Sequence, residues 1–164
     1  MSFVKLPLKA VINYYASQGF DLAELFEATG ISRVLQAGGF IGGGFARNLL
    51  TKRGILEYLS KSPADTAQAS GDIDIFFPNR KAYDRAVKFY ESMAVNQKTA
   101  KYDHDLYNVK PDHQQPYLLV DNNCSVTGFC HNVTFITSRR PKGWVDYMSP
   151  QPRVKIQLVG EFLG

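Results

Sequence analysis

The sequence predicts an α+β domain in which a mixed β-sheet is packed by helices on one side. Three observations predict it. Apolar residues recur at helical spacing through most of residues 1–95, and the later part breaks into short apolar pieces separated by Asp, Asn, Pro and Gly. Between two helical segments stands one short strand of alternating character, Asp72-Ile73-Asp74-Ile75-Phe76-Phe77. At 164 residues with 45% hydrophobic content the chain can bury one good core but is short for two, so a single domain over 1–164 is expected.

Residues 5–18 place Leu8, Val11, Ile12 and Tyr15 on one helical face, with Gly19 as a stop. A second helix opens at Asp21, which forms a capping pattern with Glu24, carries the stripe Leu22, Leu25 and Phe26, and closes at Gly30. These N-terminal helices, residues 1–30, read as packing elements. Residues 32–41 are apolar and read as extended, then run into Gly42-Gly43-Gly44 and a helical pattern over 45–50, with another turn or two possible at 55–59. Residues 60–70, rich in Ser, Ala, Asp and Pro, read as a loop before the strand 72–77. Asn79 caps a helix running to about residue 95, with Ala82, Tyr83, Ala86, Val87, Tyr90 and Met93 on one face. The strand-rich part, residues 98–164, offers strands at 117–120, 125–129, 132–136 and 154–159.

The formal charge of +4 comes from 19 Lys and Arg against 15 Asp and Glu, with no basic run. It suits a polyanionic partner only weakly and equally describes an ordinary surface. No basic segment followed by an apolar run opens the chain, and no apolar run approaches the roughly 20 residues that cross a bilayer, so a cytoplasmic protein with reduced Cys124 and Cys130 is expected. His131 beside Cys130 lacks partners at zinc spacing and reads as a satisfied strand residue.

Chemistry concentrates in two places. In a strand Asp72 and Asp74 present two carboxylates on one side, an arrangement suited to magnesium and phosphate; a solvated acidic strand end has the same text. Upstream, Gly42, Gly43 and Gly44 leave backbone N–H groups open at the start of a helix, where Arg47 lies one turn in and Lys52 and Arg53 follow. A dinucleotide fingerprint lacks its third glycine here, and a Walker loop lacks its Gly-Lys-Ser/Thr.

Gly43-Gly44-Phe45-Ala46-Arg47-Asn48-Leu49-Leu50 with Asp72-Ile73-Asp74-Ile75 resembles the DNA polymerase beta-like nucleotidyltransferase superfamily, which includes the CCA-adding enzymes and short viral and bacterial members. The resemblance covers residues 34–77 and departs from the family's Gly-Gly-x-x-Arg-Asp-x-Leu at Asn48. It implies that Gly42, Gly43, Gly44, Arg47 and Lys52 hold a nucleoside triphosphate and that Asp72 and Asp74 hold two Mg2+ ions. It further implies attack by an acceptor hydroxyl, on a nucleic acid, a protein or a small molecule, at the α-phosphate with loss of pyrophosphate. A third carboxylate is expected on a neighbouring strand; Asn132 stands where one could be, Glu161 is the remaining candidate, and Asp121 and Asp146 read as turn residues. The apolar ending Gly160-Glu161-Phe162-Leu163-Gly164 raises the expectation of a longer chain with a further strand that carries the missing acid, or of a trimmed relative. The alternative is an inactive member acting as a binding or structural subunit of a larger, for instance viral, assembly. Tyr102-Asp103-His104-Asp105 and Asp112-His113 read as exposed loop residues, Tyr14, Tyr15, Phe89 and Tyr90 as core, and Trp144 as a hairpin-tip residue that could also stack on a base.

Overall fold

The computed structural model describes residues 8–17, 21–51, 72–96, 111–139 and 153–162. Its elements are α1 (Leu8–Ser17), α2 (Leu22–Ala28), α3 (Ile31–Gln36), β1 (Phe40–Gly42), α4 (Gly43–Thr51), β2 (Asp72–Phe76), α5 (Arg80–Asn96), β3 (Tyr117–Cys124), β4 (Cys130–Thr137) and β5 (Arg153–Val159). The architecture is α+β, with one five-stranded mixed sheet in the order β1-β2-β5-β4-β3. Among the described strands β2 and β5 run parallel, and the other three pairs are antiparallel.

Local signals place most of the elements. The Asp21 carboxylate accepts the Glu24 N–H at 2.9 Å and opens α2, and Gly30, at φ +80°, lets the chain turn from α2 into α3. Asn79 does the same for α5, its side-chain oxygen accepting the Ala82 N–H at 2.9 Å. Residues 32–36, within the stretch 32–41 expected to be extended, belong to the helix α3 instead. Ile31 and Val34, one helical turn apart, are both buried, so the segment gains by presenting one helical face to the core, and Arg33, Leu35 and Gln36 favour a helix locally. The Gly39 N–H then donates to the Val34 carbonyl at 3.0 Å and releases the chain into the short β1.

The expected strand at 125–129 is the turn of the β3–β4 hairpin. Gly128 has φ +76°, and Val126 and Phe129 are exposed despite their apolar side chains. Asp121, expected in a turn, lies within β3 beside a register shift. The expected helical turn at 55–59, the loop at 60–70, the segment 102–105, Trp144 and Asp146 lie outside the described residues.

The sheet has two unlike faces. Ile73 and Ile75 of β2, Ile156 and Leu158 of β5, Val133 and Phe135 of β4 and Leu119 of β3 join one buried cluster with Leu22, Leu25 and Phe26 of α2, Phe45 and Leu49 of α4, and Ala82, Tyr83, Ala86 and Tyr90 of α5. Burial of this apolar area is the main stabilising term. Alternate residues of the same strands point the other way, and these include Asp72, Asp74, Lys155, Gln157 and Asn132. Arg139, past the end of β4, ties that end to α2 with a forked contact to Glu24 at 2.6 and 2.9 Å, worth about 1 kcal/mol at this exposure. His131 is buried, hydrogen-bonds Asn122, and is pushed by burial below the usual histidine range, so it packs as a neutral ring.

Tyr90 is fully buried, with its ring edge-on to Phe135 at 6.4 Å. Its hydroxyl has no hydrogen-bond partner among the described residues, and burial pushes its pKa up. Replacing Tyr90→Phe removes an oxygen desolvated without return, so urea unfolding should show a gain of about 1 kcal/mol. A loss of that size would reveal a partner for the hydroxyl.

Candidate functional site

The site forms where the edge strand β1 turns into α4 beside β2. Asp74 lies opposite Gly42 in the β1–β2 ladder, so the glycine segment and the second carboxylate are adjacent by register. Gly42 ends β1 under the Phe76 ring, and a Cβ there would come within 2.5 Å of it. Phe76 in turn stacks on Phe40 at 5.9 Å, which fixes the edge of the sheet around the glycines.

Gly43 is the pivot. It has φ +68°, which L-residues with a side chain adopt at a cost, and a Cβ placed on it would stand 2.6 Å from Asp74 Oδ2. The first residue of α4 therefore brings bare backbone against the carboxylate, and the first turn of the helix, whose N–H groups have no carbonyl partner within the helix, starts at this point. Gly44 follows within the helix. Arg47, exposed, lies one turn beyond Gly43 on the same side of α4. Lys52 lies outside the described residues, as does the Asn48 side chain.

Asp72 and Asp74 are partly buried on the same face of β2. Asp74 Oδ1 is buried and accepts no hydrogen bond from any described residue. Burial raises both carboxyls above the ordinary aspartate range; the Asp72 charge raises Asp74 further, whereas the Lys155 ammonium pulls Asp72 back down. A buried acceptor without a donor, next to a second carboxylate, is a costly arrangement that a cation would relieve. The two residues thus fit one divalent ion with positions left for phosphate oxygens.

The register also shows which side chains face the pair. In the parallel ladder Lys155 stands opposite Asp72 and Gln157 opposite Asp74. Sequence reading passed over both; the signal was their alternation with Val154, Ile156 and Leu158, but the parallel pairing of β2 with β5 is not local in sequence. Asn132, expected near the third-acid position, lies opposite Gln157 on the next strand, roughly 10 Å from Asp74 at about 4.8 Å per strand. Glu161 is exposed and follows the end of β5, past the row in which Gln157 faces Asp74, so the ladder does not bring it to the pair. Among the described residues no group of three or more His, Cys, Asp or Glu could hold a metal. Asp112 caps its own turn by accepting the Gln114 and Gln115 N–H groups, and His113 is exposed next to Arg139.

Among the described residues no helix is long and apolar enough to cross a membrane. No protein-family model, no curated protein and no solved structure matches this chain.

Proposed function

We propose that the chain is a metal-dependent nucleotidyltransferase with the fold of the polymerase beta-like superfamily, transferring a nucleoside monophosphate from a triphosphate to an acceptor hydroxyl. One observation carries the reading: a buried Asp74 oxygen, without a hydrogen-bond partner among the described residues, at the point where Gly43, at positive φ, opens a helix. Anion donors and cation acceptors sit side by side there, which is what a metal–triphosphate complex requires.

Asp72 and Asp74 hold the metal, magnesium in the cell, which supplies charge neutralisation for the phosphates and the leaving pyrophosphate. The N–H groups at the start of α4 bind phosphate oxygens and Arg47 adds a cation from the next turn. The Phe76 ring lies over Gly42 on the sheet face that carries Asp72 and Asp74 and stacks on Phe40, keeping that backbone fixed as phosphate binds. Rate enhancement in such a site comes mainly from positioning and electrostatics.

A second reading rests on its own observation. The strand next to β2 offers a lysine and a glutamine rather than an acid, so the fold could serve as a nucleotide-binding subunit of a larger assembly without turnover. Incubation with magnesium, each labelled nucleoside triphosphate and a panel of nucleic-acid and protein acceptors separates the two. The transferase reading predicts pyrophosphate release that vanishes in Asp72→Ala and Asp74→Ala. Triphosphate binding without release from any acceptor assigns the chain to the second reading.

A further inference from the structure

We propose that the exposed ring of Phe40 is the surface on which the nucleobase of the bound triphosphate stacks, so that the site selects its nucleotide by ring area and not by reading a base edge. The proposal rests on the metal–triphosphate reading above and adds the chemistry that recognises the nucleoside. Its basis is the register of the edge strand. Phe40 pairs with Phe76 and Gly42 with Asp74, and residues two apart in a strand share a face. Both rings therefore stand on the face that carries the acidic pair.

Phe76 is partly buried and leans over Gly42, where its ring would meet any Cβ. The Phe40 ring lies nearly parallel to it, at an interplanar angle of 21° and 5.9 Å between centroids. Phe40 belongs to β1, at one end of the strand order, and is 38% exposed, whereas Phe26, Phe45, Tyr90 and Phe135 are buried in the core. One exposed apolar residue is ordinary by itself; position is what sets Phe40 apart. It precedes Gly43 by three residues, at most about 10–11 Å of extended chain, a span that ribose and the phosphate chain can bridge. With phosphates on the first turn of α4, a base laid over Phe40 continues the two-ring stack and removes apolar surface from water.

The composition of β1 says how such a base would be chosen. The strand reads Phe-Ile-Gly, and Ile41 packs against the core, so β1 has no polar side chain with which to read a base edge. A ring face accepts every base, and a two-ring purine covers more of it than a one-ring pyrimidine.

Removing the ring should cost the base and not the phosphates. With Mg2+ present, a non-hydrolysable adenosine triphosphate analogue should bind wild type about tenfold more tightly than inorganic triphosphate, and Phe40→Leu should erase that difference while leaving inorganic triphosphate unchanged. Phe40→Trp should keep the advantage. Its added fluorescence, measured against wild type with Trp144 alone, should be quenched by the analogue and not by inorganic triphosphate. Adenine and guanine analogues should bind within about threefold of one another, and both more tightly than cytosine and uracil analogues.

Three results would overturn the proposal while leaving the site standing. Phe40→Leu could bind both ligands as wild type does, or weaken both by the same factor, or Phe40→Trp could be quenched by an oligonucleotide and not by the triphosphate, which gives the ring to the acceptor. Inorganic triphosphate binding that is equal in Asp74→Ala and wild type would remove the site reading and this proposal with it.

Discussion

Gly43→Ala is expected to destabilise the fold by about 2–4 kcal/mol in urea unfolding and to remove the stabilisation that divalent ions confer on the wild-type chain. Two costs add. At φ +68° any L side chain carries left-handed strain of roughly 1–2 kcal/mol, and the new Cβ would stand 2.6 Å from Asp74 Oδ2, forcing β2 and α4 apart or swinging the carboxylate away. Gly128 separates the two costs. It has φ +76° with nothing within 4 Å of a built Cβ, so Gly128→Ala should show the strain alone. If Gly43→Ala and Gly128→Ala cost the same, the close approach of backbone to Asp74 is not a constraint of the fold.

Asp74→Asn should move stability and activity in opposite directions. Transfer should fall by about a thousandfold or more, because a neutral amide cannot hold the ion against the phosphates. In chelator the same variant should unfold at a higher temperature than wild type near neutral pH. The sign follows from the raised carboxyl: with its folded pKa above the unfolded value of 3.8, Asp74 is fully stabilising below that value and loses its contribution as pH rises through the folded pKa. The advantage of the Asn variant should accordingly disappear toward about pH 4 and below, where wild-type Asp74 is itself protonated. Added magnesium should reverse the order at neutral pH by stabilising only the wild type. A variant less stable than wild type at neutral pH in chelator would show that Asp74 is satisfied within the fold.

Much of this arrangement was legible in the sequence where the physics is local. The Asp21–Glu24 cap, the left-handed Gly30, the Asn79 cap and the alternation of β2 depend on residues a few positions apart, and each stands where the text put it. So do the burial of Tyr15 and Tyr90 and the pairing of two carboxylates on one face. What failed depended on distant partners or on tertiary burial. Residues 32–36 open an apolar stretch that reads as extended, yet a helical face with Ile31 and Val34 is what the core accepts. Val126 and Phe129 look like strand residues and are exposed at a turn, because apolar character does not report which side chains find a neighbour. Lys155 and Gln157 were overlooked for a related reason: only the β2–β5 register, joining segments separated by α5 and the β3–β4 hairpin, reveals that they face the acidic pair.

That register also changes how the site is understood. The acidic pair was expected to await a third carboxylate on a neighbouring strand, with Asn132 standing where one could be and Glu161 the remaining candidate. It is instead flanked by the glycine backbone of β1 and α4 on one side and by Lys155 and Gln157 on the other. The buried Asp74 oxygen, unbonded among the described residues, is the feature on which the proposed cation rests.

Crystals grown with Mn2+ and a non-hydrolysable nucleoside triphosphate test that tie most directly, since the metal's anomalous signal locates it without reference to the protein's shape. The account predicts a peak within coordination distance of both Asp72 and Asp74, with phosphate oxygens on the Gly43–Gly44 backbone. A metal bound elsewhere, or a triphosphate seated away from Gly43 with the two aspartates bare, would contradict it.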